Sequence, residues 1–522
     1  MSQIRLAQFV SRAARMFPDR QAIRFEGRAQ TWRELNRATE ELAGGFRRVG
    51  VAAGHRVAIL ALNSDRYVEC LYAIWRLSAV AVPLNTRWSK DEIDYALKDS
   101  GPRVIVVDDV FGALIADLRA GGDDVPVVHI GDGDPALSAI SYKALRRDVE
   151  PVSALGGGGE DIAGIFYTGG TTGHPKGVML CHTGLVCSLL AGQLGDEEPA
   201  TDIAILCVLP MFHLAGAQLA VASAIIGRQL IMQPIFDPGA IIDCVVQDRI
   251  DTLSLVPAMW GMLIAHPKAE GADLSSLKNA LYGASPMPEG TLRRLIARLP
   301  QARFAQGYGQ TETSGVCTLL GPNDHDLDGP HAARLKSAGQ ATLFAEVRIV
   351  GEDGQDQPSG TVGEIAIRSA GNMIGYWNRP DETAATLKDG WIMSGDAGFL
   401  DADGYLFIVD RTKDMIISGG ENVYSAETES ALSMHPDVLE CAVIGIPDEK
   451  WGERVHAIVR PKPGAQATAD DLIAHCKAKI AGFKCPQSVE FRDAPFPISA
   501  TGKVLKRDLR APYWAGHGRN VN

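Results

Sequence analysis

No apolar run in this chain is long enough to cross a bilayer: the longest, "LAGAQLAVASAIIG" from Leu214 to Gly227, falls short of the roughly 20 residues a spanning helix needs. Cysteines spaced for a metal or redox site are missing too. The nine cysteines include no C-x-x-C pair, and their odd number argues against a disulfide framework, so they read as small core residues in a reducing compartment. Positive charge is not in excess, since 51 Lys+Arg against 63 Asp+Glu give a net charge of -12, which argues against general affinity for nucleic acid. Internal repeats and low-complexity tracts are absent. The first residues, "MSQIRLAQFVSRAARMFPDR", lack the continuous apolar core of a signal peptide and follow the period of a surface helix. These absences point to a cytoplasmic protein without a transmembrane segment. They leave room for peripheral membrane contact and for a homodimer, and oligomeric state is not legible.

What is present is a long chain of ordinary globular composition. At 522 residues, with 46% hydrophobic and 22% charged residues, it exceeds what one core usually organises. Short apolar runs such as "RVAILAL", "VIVVDD", "DIAILCVLP", "RQLIMQP" and "DTLSLVP" alternate with helical patterns such as "DEIDYALKDS" and "GTLRRLIARLP". This alternation predicts an α/β protein with buried, mostly parallel sheets. After Trp391 the texture changes to short strands with D-x-D-G turns, as in "FLDADGYLFIVDR", and then to a compact segment of helix and strands. The expected division is a large, multi-subdomain N-terminal domain over 1–410 and a small, mobile α+β domain over 411–522. From Arg411 onward 15 Lys+Arg meet 14 Asp+Glu, against 36 and 49 in the rest, so the acidity belongs to the large domain.

The most informative stretch is "FYTGGTTGHPKGVMLCH", Phe166 to His182. Glycines let successive backbone N–H groups converge on an anion, three threonines add hydroxyl donors, and one lysine adds a point charge, so the loop reads as a phosphate cradle between two strands. It is not a Walker loop, in which the lysine directly follows glycine and a Ser or Thr follows the lysine. Here His174 and Pro175 separate Gly173 from Lys176, and Gly177 comes next.

Further motifs follow in order: "QGYGQTE" (Gln306 to Glu312), "SGD" (Ser394 to Asp396), "DRTKDMIISGGENVY" (Asp410 to Tyr424) and "ATGKVLKRDLR" (Ala500 to Arg510). Together with the loop they resemble the adenylate-forming superfamily of acyl-CoA synthetases, luciferases and peptide-synthetase adenylation domains. "MFHLAG", "DEKWGE" and "GYWNRP" resemble its bacterial fatty-acyl-CoA synthetase branch. The resemblance implies an AMP-forming acid–thiol ligase using ATP, Mg2+ and coenzyme A as well as a carboxylic acid. It implies that Thr168, Gly169, Gly170, Thr171, Thr172, Gly173 and Lys176 hold the β- and γ-phosphates, and that Glu312 binds the metal with Thr311 beside the phosphate. Gly283, Ala284, Ser285, Gln306, Tyr308, Gly309 and Gln310 would surround the nucleotide, Tyr308 stacking on adenine, while Asp396 and Arg411 take the ribose. Lys503 would bridge the carboxylate and the α-phosphate, and Lys506 reads as a surface lysine. Lys413 is the implied hinge, bringing Gly419, Gly420 and Glu421 to the site for the thiol step, with Trp451 and Lys484 contacting the CoA nucleotide. No general base is required, because a carboxylic acid is already ionised at neutral pH.

For the acyl group, the resemblance makes His213 a gate and Ala217, Ala258, Gly307 and Val316 the pocket wall. The wall is small and apolar, without an Asp or Lys to grip an α-amino group. That favours a medium or long fatty acid, with an arylpropenoate such as coumarate or ferulate as the alternative. A carrier protein as acyl acceptor is a further alternative, and an ATP hydrolase or kinase would release ADP instead of AMP.

Overall fold

A computed structural model of the chain describes residues 3–121, 124–134, 138–168, 175–193, 204–285, 287–411, 415–418, 421–448, 450–498 and 504–515, without the side chains of 192, 193, 410, 411 and 422. Among the described residues the strands form four sheets. In the first, Gln229–Met232, Ala204–Cys207, Thr252–Leu255, Asn279–Gly283 and Arg303–Gln310 lie side by side and parallel, in that order. In the second, Ile162–Thr168, Val80–Pro83, Arg56–Leu60, Val104–Val107 and Val127–His129 are likewise parallel. Strands such as Val104–Val107 are buried at every position, as a parallel sheet covered on both faces requires. The helices expected from the sequence fall between them. Lys90–Ser100, for example, is opened by a Ser89/Glu92 capping box and closed by Gly101 at φ 53°. The α/β expectation therefore holds.

The third sheet is antiparallel throughout: Ala345–Val350, Gly363–Ser369 and Trp391–Leu400, with Leu406–Arg411 folded back on the last. It begins well before Trp391, where the sequence reading placed the change in texture. The alternation in "AEVRIV" and "GEIAIRS" carries the period of two that marks such strands. The D-x-D-G turn forms as expected, with Asp401 Oδ1 accepting from the Asp403 and Tyr405 backbone N–H groups and Gly404 at φ 81°. The fourth sheet uses only strands after Arg411, from Ile416–Ser418 to Ser488–Phe491. It packs with the helices Ser425–Ser433 and Ala469–Lys477 around its own core of Ile416, Leu432, Val443, Val455 and Leu472. No helix among the described residues is long and apolar enough to cross a membrane.

Candidate active site

The Gly-rich loop joins two strands, as the apolar runs on either side of it predict. Ile162–Thr168 and Lys176–Cys181 pair antiparallel, and the last pair in register is Thr168 with Lys176. Gly169, Gly170, Thr171, Thr172 and Gly173 lie outside the described residues. Lys176 forms an ion pair with Glu382, and its Nζ lies 5.2 Å from the centre of the Tyr376 ring. The Tyr376 hydroxyl donates at 2.9 Å to Glu312 Oε1. Burial pushes that phenol well above its ordinary range, and the neighbouring Glu312 carboxylate adds to the shift, so Tyr376 stays a donor.

Glu312 is buried in the short turn Thr311–Thr313 that follows the strand Arg303–Gln310. The turn is tied down on both sides: Thr313 Oγ1 accepts from the Gln310 backbone N–H at 3.1 Å, and Met373 N–H donates to the Glu312 carbonyl at 2.7 Å. Among the described residues no group of three or more His, Cys, Asp or Glu is placed to hold a metal ion. A single buried carboxylate nonetheless suits Mg2+, which takes one or two protein carboxylates and draws its other ligands from phosphates and water.

The nucleotide candidates gather at the carboxyl ends of the parallel strands, where open α/β sheets bind ligands. Gly283 pairs in register with Gly307, and a Cβ on Gly283 would lie 2.4 Å from the Gly307 carbonyl oxygen, so these two strands approach too closely for any side chain there. Ala284 follows at φ 67°, a left-handed conformation that turns the chain before Ser285. Gln306 is buried within the strand. Gln310 Nε2 reaches the Ser394 carbonyl at 3.3 Å. Tyr308 donates at 2.8 Å to Asp396 Oδ2, and burial with this carboxylate partner holds its phenol well above the usual value. Asp396 lies opposite Arg411 in the hairpin register, which brings the two ribose candidates together from strands 15 residues apart in number.

His213 caps the helix Leu214–Ile226, its ring centre 4.5 Å from that of Phe212. It lines one open cavity of about 3160 Å³ together with Thr168, Lys176, Glu312, Asp396, Gly307 and Val316. Ala258 lines it as well, and it does so as part of a stripe with Gly261, Met262 and Ala265, one face of the helix Pro257–Ala265. Trp260 and Leu263 turn away into the core, and Met259, though buried, also borders the cavity. Ala217 corrects the sequence reading: it is buried in the main core, and its neighbour Gln218 faces the cavity, its Nε2 bonded at 2.7 Å to the Ser314 carbonyl.

From the small unit, Ile498, Val504, Leu505 and Lys506 line the same cavity. Lys503, Lys413, Gly419 and Gly420 lie outside the described residues. Lys506 is not the surface lysine expected, because its Nζ is held by Glu429 at 2.7 Å and by Ser425 Oγ at 2.6 Å. Ser418 and Glu421 pair in antiparallel register, and Glu421 is exposed. Of the expected CoA contacts, neither Trp451 nor Lys484 lines the cavity, although Glu427, the partner of Lys484, does. Trp451 is exposed with Lys450 Nζ 4.4 Å from its ring, and Lys484 is committed to Glu427 at 2.7 and 3.0 Å. Tyr376, Glu382 and Gln218 are site residues that the sequence reading missed. Two of them, Tyr376 and Glu382, lie in "GYWNRPDE", whose first six residues resemble the fatty-acyl-CoA synthetase branch.

The sequence matches the AMP-binding enzyme family over residues 10–377 and the AMP-binding enzyme C-terminal domain over residues 427–503. It is 40% identical to a feruloyl-CoA synthase of Amycolatopsis sp, covering 97% of this chain and 98% of that one. It is 36% identical to a fatty acid–[acyl-carrier-protein] ligase of Streptomyces coeruleorubidus (99% and 98% covered) and 36% identical to a long-chain-fatty-acid–CoA ligase of Mycobacterium tuberculosis (93% and 93%). Among solved structures, a fatty acyl CoA synthetase of Mycobacterium tuberculosis superposes with TM-score 0.76 at 34% identity over 98% of each chain. ATP-bound MatB from Rhodopseudomonas palustris superposes with TM-score 0.86 at 29% identity over 97% of this chain and 99% of that one.

Proposed function

The chain belongs to the AMP-binding enzyme family, in the acyl-CoA synthetase branch of the adenylate-forming ligases, and from that premise we propose that it activates a medium- or long-chain fatty acid as acyl-AMP and transfers the acyl group to coenzyme A. The observation that carries this reading is the single cavity holding Thr168, Lys176, Glu312, Asp396 and the residues next to Lys503, with an apolar wall of Ala258, Gly261, Met262 and Ala265. That stripe spans two helical turns, roughly 10 Å, and offers an acyl chain no charged group.

In the first half-reaction the carboxylate oxygen attacks the α-phosphorus, the new C(O)O–P bond forms, and the bond to pyrophosphate breaks with its electron pair. The protein's work is to offset crowded negative charge. Lys176 and the Gly-rich loop hold the β- and γ-phosphates, Lys503 sits between the incoming carboxylate and the α-phosphate, and Asp396 fixes the ribose, its second oxygen held by Tyr308. Glu312 would hold Mg2+, which when bound neutralises phosphate charge. In the second half-reaction the thiol sulfur attacks the acyl carbon, the C–S bond forms and AMP leaves with the electrons of the C–O bond. A thiol of pKa near 8.5 supplies enough thiolate without a dedicated base.

The test is release of AMP and pyrophosphate with Mg-ATP and CoA across acids from acetate through long fatty acids to ferulate. A maximum at a medium or long fatty acid is expected. A ferulate or coumarate maximum would favour the arylpropenoate reading, which draws support from the feruloyl-CoA synthase relative and from the polar groups of Ser188 and Gln218 on the cavity wall. ADP in place of AMP would overturn the adenylation reading. Acyl transfer to a carrier protein but not to CoA would overturn the acceptor.

Gly307→Leu tests the pocket. A Cβ there would lie 2.8 Å from Val316 Cγ2, so the added side chain displaces Val316 and narrows the acyl arm. The expected outcome is a loss of about tenfold or more in kcat/KM for the longest acids relative to short ones. An unchanged chain-length profile would place the acyl group elsewhere.

A further inference from the structure

Lys176 lines the cavity, whereas Glu382, to which it is ion-paired, stands behind it. The lysine side chain is 19% exposed and the glutamate 32%, so the pair is neither a core salt bridge nor a freely solvated one. Glu382 lies in the first turn of the helix Pro380–Thr386, and its other carboxylate oxygen is 3.7 Å from Arg379 Nε. The face of Tyr376, 5.2 Å from Lys176 Nζ, supports the ammonium from a second side, and the hydroxyl of that same ring bonds to Glu312. Lysine is a point charge with rotatable donors, so it can change anionic partners without rebuilding a fixed geometry.

We propose that Glu382 is the resting counter-ion of Lys176: it holds the lysine when polyphosphate is absent and competes with the β- and γ-phosphates for it. The proposal rests on the reading of Lys176 as a phosphate ligand. Two features keep the exchange easy. Glu382 retains Arg379 when the lysine leaves, so no carboxylate is stranded, and the lysine slides along an aromatic face that tolerates a cation. The consequence is that ATP binds more weakly, and pyrophosphate departs more readily, than the loop alone would dictate. An ion pair of this exposure shifts the lysine toward its resting partner by a small factor, and apparent affinity falls by the fraction of lysine left available, about two- to sixfold.

Calorimetric titration of the full chain with the magnesium complex of α,β-methylene-ATP, with pyrophosphate and with AMP tests this. Glu382→Gln is expected to tighten the ATP analogue and pyrophosphate by about two- to sixfold while leaving AMP, which has no β- or γ-phosphate, unchanged. Unchanged or weaker binding of the analogue would overturn the proposal, because a residue that only positions Lys176 gives that result. Equal tightening of AMP would overturn it too, as a general change of the site. Lys176→Met should weaken the analogue and pyrophosphate but not AMP, and adding Glu382→Gln to it should produce no further change. A residual tightening in the double variant would show an effect that bypasses the lysine and would sink the proposal. If Lys176→Met left analogue affinity intact, the phosphate reading of Lys176 would itself fall, whatever Glu382 does.

Discussion

Lys503→Ala is expected to slow acyl-adenylate formation by about 10²- to 10³-fold while leaving the transfer of acyl groups from supplied acyl-AMP to CoA within about twofold of normal. The carboxylate and the α-phosphate repel each other as they approach, and a cation between them acts only in that half-reaction. Once the mixed anhydride exists, the thiol attacks a neutral carbonyl carbon and AMP leaves, so the same lysine has no charge left to offset. The ends of the segment that carries Lys503 are well anchored. Ile498 and Val504 form a bridge, the Leu505 N–H donates to the Pro497 carbonyl at 2.8 Å, and Lys506 is held by Glu429 at 2.7 Å. Both ends face the cavity that contains Lys176, Glu312 and Asp396, whereas Glu421, expected to serve the thiol step, is not part of its wall. Quenched-flow detection of acyl-AMP and pyrophosphate measures the first half, and thioester formation from synthetic acyl-AMP measures the second. Equal loss of both would defeat the idea that the small unit presents different faces to the two steps.

The chemistry of the site was legible where it is local in the chain. The phosphate loop announces itself because apolar runs on both sides force a strand–loop–strand reading, and the hairpin register then brings Thr168 opposite Lys176. The pairing of Asp396 with Arg411 was not legible as a pair, although each residue was, because it depends on a bulge between Ala397 and Gly398 that shifts the register. Side-chain contacts between distant elements leave no trace in spacing: Tyr376 meets Glu312 across 64 residues, and Glu382 meets Lys176 across 206. Helix phase explains Ala217. One residue is about 100° around a helix, so an error of a single position exchanges a cavity wall for the core, and Gln218 takes the place assigned to its neighbour. Lys484 and Lys506 show the remaining limit. A long charged side chain looks free in a sequence, yet both are bound to glutamates of the helix Ser425–Ser433, Lys484 to Glu427 across 57 residues and Lys506 to Glu429 across 77.

Glu312→Gln should lower adenylation by about 10²-fold or more and shift the Mg2+ dependence to higher concentration, with little change in thermal stability. The choice of substitution matters because of Tyr376. Its hydroxyl is buried and donates to Glu312 Oε1, so an alanine would strand that donor at a cost of about 1–3 kcal/mol and confound activity with folding. Glutamine keeps an acceptor oxygen in the same place and removes only the charge. If the carboxylate were a structural partner of Tyr376 and nothing more, glutamine would satisfy it and activity would survive. If it holds the metal that neutralises the phosphates, the hydrogen bond persists and the reaction fails. Measuring acyl-AMP formation against Mg2+ concentration alongside a melting curve separates the two, and full activity with a normal Mg2+ response would remove Glu312 from the metal site. Thioester formation from supplied acyl-AMP offers an internal control, because that step involves no pyrophosphate and needs no metal to neutralise it. The variant should therefore resemble Lys503→Ala in sparing the second half-reaction, and differ from it in responding to added Mg2+.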